Sequence, residues 1–321
     1  MTSMKKEDER KDLAGEAMQC HSVTSEDEGK RIDKFLSGRF SDVSRNHLQK
    51  MIERGEITVG GSPVKPNYKL RLQDEIHILT DTAPVPVEIV PQDIPLSIIH
   101  EDDDILIIDK PKGMVVHPAP GHPDGTLVNA ILFHCGKRLS GINGELRPGI
   151  VHRIDKDTTG SLIVCKNDRA HRRIAEQIAV HSIQRSYVGI VHGNVKEEEG
   201  TVDAPIGRDP KNRKRMAVHA PHGKEAVTHY HILKRLNGYT YLRFDLETGR
   251  THQIRVHAAS IGHPLLGDQV YGPKKCPFHL TGQTLHAWRI GFIHPSTDEY
   301  VEYEAPIPGY ITELVEALDF A

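Results

Sequence analysis

The sequence predicts an α+β protein built from two domains. The 321 residues exceed the usual length of one domain, and an apolar fraction of 37% suffices for a globular core. Short apolar segments with strand character are interspersed with segments of helical periodicity. A proline-rich segment at residues 81–95 separates a small N-terminal unit from a larger C-terminal one.

The small unit is predicted at residues 22–80, after a flexible charged tail at residues 1–21. Apolar residues recur at helical spacing in two helices: Ile32, Phe35 and Leu36 in the first, and Leu48, Met51 and Ile52 in the second. Ser44 can cap the second helix, and the run Ile57-Thr58-Val59 before two glycines predicts a strand and a turn. Basic side chains take outward positions in this unit: Arg31, Lys34, Arg45 and Lys50.

The larger domain is predicted at residues 96–321. Four prolines in the segment 81–95, DTAPVPVEIVPQDIP, disfavour a helix and predict a semi-rigid extended linker. Beyond the linker, strands are predicted at residues 96–100, 105–109 and 184–193, and helices at residues 127–134, 170–180 and 252–261.

Residues 149–166, GIVHRIDKDTTGSLIVCK, place one carboxylate in a turn that leads into an apolar strand. Arg153 and Lys156 flank Asp155 and favour its ionised form when a bound substrate excludes water, as a charged nucleophile requires. Gly160 just beyond is expected to add flexibility. The alternative is that Asp155 only ends a turn or caps a helix.

Residues 247–272, ETGRTHQIRVHAASIGHPLLGDQVYG, predict a helix that Thr251 can cap. Arg250 and Arg255 then lie about one turn apart on rigid backbone. A guanidinium group can fork two hydrogen bonds onto a carboxylate or a phosphate. These two residues therefore suit an ion pair with Asp155 or a contact with a nucleic-acid backbone.

Tyr187 stands near the start of the predicted strand at residues 184–193. Its ring can stack on a base, and its hydroxyl can donate or accept a proton. The alternative is a core residue, because aromatic side chains fill sheets for packing reasons.

These segments together resemble the RNA pseudouridine synthase family, whose motif HRLDxxTSG reads HRIDKDTTG at residues 152–160. Further similarities lie at residues 110–118, 123–125 and 248–257, so the resemblance spans roughly residues 95–310. The long forms HPAPGHPDGT and HRIDKDTTG are most similar to the ribosomal large subunit pseudouridine synthase D subgroup. Ile154 replaces the family's usual Leu, a volume-conserving exchange. The N-terminal segments GKRIDKFL and SRNHLQKMIERGEITVGG resemble the S4 RNA-binding domain.

The resemblance implies a mixed, mainly antiparallel catalytic sheet with flanking helices, preceded by a small S4-like α/β domain. It also implies isomerisation of uridine to pseudouridine. In this reaction the glycosidic bond from the ribose to the base nitrogen is cut, the uracil turns, and a bond forms from the ribose to a carbon of the uracil. Asp155 would attack the nucleoside or stabilise the sugar cation, since departure of uracil leaves positive character on the ribose.

Roles for the neighbouring residues also follow from the resemblance. Tyr187 would lie against the uracil and help to remove the proton from the carbon that becomes attached. Arg255 would pair with Asp155 and hold it ionised. Arg153 would fill the space left in the RNA stack when the target nucleotide turns outward. His152 would either orient the turn or touch phosphate.

The net charge of −3 is unevenly distributed along the chain. Residues 30–54 carry seven Lys or Arg against three acids, and residues 207–224 carry six against one. Residues 295–321 carry seven acids and neither Lys nor Arg. We expect the basic runs to contact phosphate, and the loop at residues 208–216 to contact RNA through Arg213, Lys214 and Arg215. The alternative is that they are solvated surface.

Several classes of protein are disfavoured by what the sequence lacks. No apolar run has the length of a signal peptide or a membrane span, so we expect a cytoplasmic protein. The four cysteines are far apart, and the sequence contains no HExxH, GxGxxG or P-loop motif. We therefore expect neither a metal nor a cofactor, and the isomerisation requires neither.

The expected partner is large-subunit ribosomal RNA or a pre-ribosomal particle, bound by a monomer. Three alternatives remain open from the sequence. The chain could be a non-catalytic rRNA-binding assembly factor, or a pseudouridine synthase for another RNA such as tRNA. It could also be a hydrolase with Asp155 as nucleophile, although such enzymes normally carry metal ligands or a phosphate loop.

Overall fold

The computed structural model describes residues 18–40, 45–79, 89–119, 121–136, 138–142, 148–212, 215–276 and 278–319. The chain divides into two compact units, Met1–Val87 and Glu88–Ala321. Residues 81–88 of the predicted linker and Ser44, the predicted helix cap, lie outside the described residues. The boundaries 1–21, 22–80, 81–95 and 96–321 therefore stay predictions.

The first unit pairs two helices with a small antiparallel sheet. Its described elements are β1 (Met18–Ser22), α1 (Ile32–Arg39), α2 (Arg45–Arg54), β2 (Ile57–Val59), β3 (Ser62–Pro63) and β4 (Glu75–Leu79). The strands lie in the order β1-β4-β2-β3. The apolar residues predicted to face inward are buried: Ile32, Phe35, Leu36, Leu48, Met51 and Ile52. The helical spacing in the sequence thus predicted both helices and their buried faces.

The second unit has a large sheet, a separate hairpin and four helices among its described residues. Its elements are β5 (Ser97–Glu101), β6 (Ile105–Lys110), α3 (Leu127–Cys135), β7 (Thr159–Cys165), α4 (Asp168–Ala179), β8 (Gln184–His192), β9 (Glu199–Asp203), β10 (Ile206–Arg208), β11 (Met216–Val218), β12 (Val227–Leu236), β13 (Tyr239–Leu246), α5 (Gln253–Ser260), β14 (Leu285–Ile293), β15 (Tyr300–Glu304) and α6 (Gly309–Ala317). The six predicted elements of this region are all present, with ends within about two residues of the prediction.

The large sheet is mixed and mainly antiparallel, as expected. Its main path has the order β5-β6-β7-β14-β8-β13-β12-β9, with β15 beside β14, and β10 and β11 form their own hairpin. Among the described strands, β7 and β14 make the one parallel pair. β7 is buried along its whole length because Leu162 and Val164 enter one core cluster, whereas Ile163 and Cys165 enter another. Coverage of both faces explains the uninterrupted apolar run that follows Asp155.

Gly160 lies inside β7, where the expectation of a flexible turn residue is wrong. Its φ of +107° is one that side-chain-bearing residues rarely adopt, and an added β-carbon would lie 2.2 Å from the Ala287 carbonyl oxygen. Glycine is therefore required for the close approach of β7 and β14.

The expectation that Thr251 caps α5 is also wrong. The N-cap residue is His252, which takes a left-handed conformation with φ 57° and makes no side-chain capping bond. The Gln253 side-chain oxygen instead accepts hydrogen bonds from the Arg250 backbone N–H at 2.9 Å and the Thr248 hydroxyl at 2.8 Å. These bonds fix the entry to the helix, so no cap from Thr251 is needed.

Candidate active site

The pocket beside Asp155 has a volume of about 540 Å³, within the range of small-molecule sites. Six predicted site residues line it: His152, Arg153, Asp155, Tyr187, Arg250 and Arg255. They come from the loop before β7, from β8 and from the entry and first turn of α5. The fold thus brings together the three segments that the sequence singled out.

Asp155 lies in a turn held by hydrogen bonds to a fully buried lysine. The Thr158 backbone N–H donates to the Asp155 carbonyl at 3.1 Å, and the Lys110 ammonium donates to the carbonyls of Pro111, Met114 and Lys156. Burial lowers the pKa of Lys110 to about 8, so this group is still mainly charged at neutral pH. The position of the Asp155 turn is therefore tied to β6 and the loop after it.

Arg255 lies between two carboxylates. Its Nη1 donates to Asp155 Oδ2 at 2.9 Å, while its Nε and Nη2 donate to the two oxygens of Asp268 at 2.7 and 3.0 Å. Asp268 is fully buried and also accepts hydrogen bonds from the backbone N–H groups of Val270 and Tyr271. Burial opposes the charge of Arg255, but Asp268 and then Asp155 outweigh it and raise the pKa above its ordinary value.

The predicted pairing of Arg255 with Asp155 is thus present in the geometry, and Asp268 is a partner that the sequence reasoning missed. The available signal was its position in the segment 247–272, since a carboxylate close in sequence can stabilise a buried arginine. We call the Asp155, Arg255 and Asp268 side chains the ion chain.

Asp155 uses one carboxylate oxygen in the ion chain. Its other oxygen, Oδ1, lies 3.8 Å from His252 Nε2, which is beyond hydrogen-bond distance. Within the part of the chain that the structure describes, the single side-chain hydrogen bond to Asp155 is the one from Arg255. The side chain is 20% exposed. One carboxylate oxygen is therefore fixed, and the other is available to a ligand in the pocket.

Tyr187 lies on β8 and is 8% exposed. Burial raises the pKa of its hydroxyl; the positive charge of Arg185 opposes this shift, and Asp155 adds to it. The side chain is consequently a neutral phenol at neutral pH. It offers the pocket an aromatic face together with a hydroxyl group that can donate or accept a hydrogen bond.

His152 accepts a hydrogen bond at Nε2 from the Ile163 backbone N–H at 2.9 Å. Burial, with a smaller effect of Arg185, lowers its pKa to about 3, so the ring is neutral. Of its two predicted roles, this geometry supports orientation of the turn. Arg153 is exposed at the pocket, and Arg250 donates from Nε to the Glu225 carbonyl at 2.8 Å.

The basic residues predicted to bind RNA in the first unit remain accessible. Lys34 and Lys50 are exposed, and the side chains of Arg31 and Arg45 are 41% and 42% exposed. Both arginines donate to Asp33, a fully buried carboxylate that the sequence reasoning also missed. The hydrogen bonds of Arg31, Gln49 and Arg45 outweigh burial and lower the pKa of Asp33 to about 2.

In the basic loop of the second unit, Arg213 and Lys214 lie outside the described residues. The guanidinium carbon of Arg215 lies 5.1 Å from the ring centroid of Tyr271. The ring of Tyr271 also lies 5.2 Å from the guanidinium carbon of Arg255. One aromatic ring thus contacts both the loop and the ion chain.

Groups with the spacing of metal ligands lie outside the lining of the pocket. Within the described ranges they are Cys20 with Glu75 and His77, Glu101 with His134 and Cys135, and Asp102 with Asp104 and His294. In the last group, Asp102 already accepts hydrogen bonds from two backbone N–H groups and contacts both His100 and His294. No helix among the described residues is both long and apolar enough to span a bilayer.

The fold resembles that of solved pseudouridine synthases. A human protein titled RNA Pseudouridylate Synthase Domain Containing 1 superposes with a TM-score of 0.55 over 74% of this chain and 97% of its own, at 23% identity. The family model described as RNA pseudouridylate synthase matches residues 104–260, and the S4 domain model matches residues 30–76. These matches confirm the predicted fold class and the N-terminal S4 domain.

Curated relatives agree over most of the chain. An uncharacterized RNA pseudouridine synthase of Bacillus subtilis is 50% identical over 297 residues, which are 92% of this chain and 97% of the relative. A ribosomal large subunit pseudouridine synthase D of Zymomonas mobilis is 46% identical over 89% of this chain and 93% of its own. The chain therefore belongs to the RNA pseudouridine synthase family. It is an enzyme that isomerises uridine in RNA, as its motifs predicted.

Proposed function

We propose that this pseudouridine synthase acts on specific uridines of large-subunit (23S) ribosomal RNA. Two relatives support this substrate, since the proteins of Zymomonas mobilis and Pasteurella multocida are both named ribosomal large subunit pseudouridine synthase D. The second of these is 44% identical over 90% of this chain. The substrate is free rRNA or a pre-ribosomal particle, and the enzyme acts on it as a monomer in the cytoplasm.

Asp155 is the carboxylate that acts on the ribose in this proposal. As uracil departs, positive character develops on the sugar, and Asp155 Oδ1 meets it as a nucleophile or as a counter-ion. The observation that carries the proposal is the 2.9 Å bond from Arg255 Nη1 to the other oxygen, Oδ2. It orients the carboxylate and keeps it paired with a cation while Oδ1 stays free for the substrate.

The target uridine must leave the RNA stack to reach Asp155, because the anomeric carbon is inaccessible in a stacked nucleotide. Arg153, which is exposed at the pocket, fills the space that the uridine leaves. Tyr187 lies against the uracil, and its hydroxyl helps to move the proton from the carbon that becomes attached to the ribose. Ile154, Leu246 and Leu285 also line the pocket and exclude the water that would hydrolyse a sugar cation.

RNA delivery is assigned to basic side chains of the S4 unit and of the second unit. The exposed cations of the S4 unit contact phosphates and read RNA shape: Arg31, Lys34, Arg45 and Lys50. Arg213, Lys214 and Arg215 of the loop at residues 208–216, together with Arg250, contact the backbone near the target. His152 orients the Asp155 turn through its bond from Ile163 and, through that turn, the RNA contact of Arg153.

Asp155→Asn tests the catalytic assignment. We expect pseudouridine formation on an unmodified rRNA transcript to fall at least about 10³-fold, because loss of a nucleophile has effects of this order or larger. RNA affinity should stay close to that of the wild type. Asp103→Asn is the matched control, since Asp103 is exposed and does not line the pocket, and it should keep wild-type activity.

Persistent pseudouridine formation by Asp155→Asn would remove Asp155 from the chemistry. The substrate is tested by mapping pseudouridine in rRNA from cells with and without the gene. An unchanged rRNA map would contradict the proposed substrate and favour another RNA such as tRNA. A growth defect that is rescued by the inactive variant would instead favour a role in ribosome assembly.

A further inference from the structure

Arg185 is a pocket residue to which neither the motifs nor the ion chain gives a role. It lies on β8 two positions before Tyr187, so both side chains project from the same face of the strand. Both line the pocket, and Arg185 is only 9% exposed. A guanidinium group is thus held beside the catalytic side chains with little access to bulk water.

Most N–H donors of the Arg185 guanidinium group make no hydrogen bond among the described residues. Nη2 donates to the Glu247 carbonyl at 3.1 Å, whereas buried Nε has no hydrogen-bond partner among the described residues. In the same described set, no carboxylate forms an ion pair with it, in contrast with the two that flank Arg255. A buried cation without a counter-charge is costly, and an anionic ligand would relieve that cost.

The surroundings of Arg185 increase its need for an anion. Burial lowers its pKa; Tyr187 opposes this shift, and the positive charge of Arg250 adds to it. The neighbouring His152 ring is neutral and cannot serve as an anion. A β-carbon on Gly249 would lie 2.5 Å from Arg185 Nη1, so the absence of a side chain at this position makes the space that the guanidinium occupies.

We propose that Arg185 binds the backbone phosphate beside the target uridine and thereby fixes the depth at which the flipped nucleotide sits. The inference rests on the proposed function, because it requires RNA in this pocket. Phosphate fits better than uracil, since it is permanently charged and matches the planar guanidinium fork. Uracil carries negative charge only transiently. Arg255 is less suited to this role because each of its three nitrogens already donates to Asp155 or Asp268 and two carboxylates balance its charge.

The test compares Arg185→Gln and Arg185→Lys with the wild type on an unmodified large-subunit rRNA transcript. Affinity is measured over a series of KCl concentrations, and pseudouridine formation is measured at limiting and at saturating RNA. We expect Arg185→Gln to weaken binding about ten- to a hundredfold and to reduce the slope of log K against log salt by about one. The rate of pseudouridine formation at limiting RNA should fall by the same factor as the affinity. The rate at saturating RNA should change much less.

Arg185→Lys should recover the salt slope, because it keeps a charge, but only part of the affinity, because it lacks the fork. Arg235→Gln is the matched control: Arg235 is ion-paired with Glu198 and does not line the pocket, so this variant should retain wild-type binding and slope. Gly249→Ala provides a second perturbation, since its methyl group displaces the Arg185 guanidinium and should reproduce the loss of affinity.

Wild-type affinity and slope in both Arg185→Gln and Gly249→Ala would overturn the proposal. A loss of saturated rate with unchanged affinity would also overturn it, and would place Arg185 against the base. Thermal denaturation shows whether each variant is folded. If Arg185→Gln is unfolded, Arg185→Lys and Gly249→Ala still decide the test. The binding measurements need no turnover, so failure of the Asp155 assignment is detected separately by Asp155→Asn.

Discussion

Asp268→Asn tests whether the ion chain controls catalysis from behind Arg255. The exchange keeps the shape of a fully buried side chain but removes its charge and one of two acceptor oxygens. Arg255 would lose at least one of its two bonds to Asp268, and its charge would be balanced by Asp155 alone. Removal of one partner from a buried ion pair costs about 3 to 5 kcal/mol, and the remaining Asp155 pair favours the lower value.

A loss of about 3 kcal/mol lowers the melting temperature of a unit of this size by roughly 6 to 12 °C. Because the guanidinium would no longer be held on two sides, the orientation of Asp155 should also relax. Misplacement of a catalytic group by about 1 Å costs about a hundredfold in rate. We therefore expect both a lower melting temperature and a slower chemical step, measured by pseudouridine formation with saturating enzyme well below the melting transition.

Asp33→Asn is the matched control, since Asp33 is also fully buried and paired with arginines but belongs to the first unit. It should destabilise its unit and leave the chemical step unchanged. A wild-type rate in Asp268→Asn would show that Asp268 serves stability alone. Equal rate losses in both variants would show that the effect comes from general destabilisation and would refute the reasoning.

The same carboxylate predicts a pH dependence. Burial raises the pKa of Asp268, but the hydrogen bonds and charge of Arg255 outweigh burial and lower it below its ordinary value. A carboxyl group with a lowered folded-state pKa stabilises the protein above its unfolded-state pKa of about 4. This contribution is lost as the pH falls through the folded-state value. The difference in unfolding free energy between wild type and Asp268→Asn should therefore shrink below about pH 4.

Two further substitutions test the site and the fold. Tyr187→Phe keeps the ring but removes the hydroxyl, so single-turnover pseudouridine formation should fall about 10²- to 10⁴-fold with RNA affinity unchanged; an unaltered rate would exclude the hydroxyl from proton movement. Gly160→Ala places a β-carbon 2.2 Å from the Ala287 carbonyl at a φ of +107° and should lower the unfolding free energy, measured in urea, by about 3 kcal/mol or more. Gly141→Ala, which meets open space, is its control, and equal losses in the two variants would contradict the steric explanation.

The sequence predicted the parts of the site that depend on local pattern and family motif. Asp155 and Arg255 are separated by 100 positions, yet each stands in a motif, and the resemblance implied their contact. The helices and strands that carry them also follow from apolar periodicity. Pattern was sufficient here because Asp155 precedes an uninterrupted apolar strand and Arg255 lies in a helix that is buried over most of its length.

Buried charges were not predictable in the same way. Asp33, Arg185 and Asp268 are charged side chains that the structure places at 0 to 9% exposure. Periodicity assigns charged residues to outward positions, whereas the burial of a charge depends on partners from distant segments. For Arg185 the usable signal was its spacing of two from Tyr187, which puts it on the pocket face of β8.

Local rules also failed where tertiary contacts decide the backbone. Thr251 has the right chemistry for a helix cap, but the Gln253 side chain already holds the turn through Thr248 and Arg250. Gln253 is itself anchored to β12, because its amide nitrogen donates to the Val227 carbonyl and the Thr228 hydroxyl. Gly160 is a residue type that often marks a flexible position. Here glycine is needed because a side chain would collide with the neighbouring strand β14. In both cases a contact with a strand distant in sequence determined the outcome.

The charges of the pocket are consistent with the nucleotide orientation that we propose. The ion chain carries more negative than positive groups, and under the proposed function its Asp155 Oδ1 meets the ribose as positive character develops there. Arg153, Arg185 and Arg250 line the same pocket and make no ion pair among the described residues, so they favour the anionic backbone. A nucleotide can satisfy both groups only with its phosphate toward these arginines and its ribose toward Asp155. Under this proposal the pocket selects the orientation of the nucleotide by charge, before any contact identifies the base.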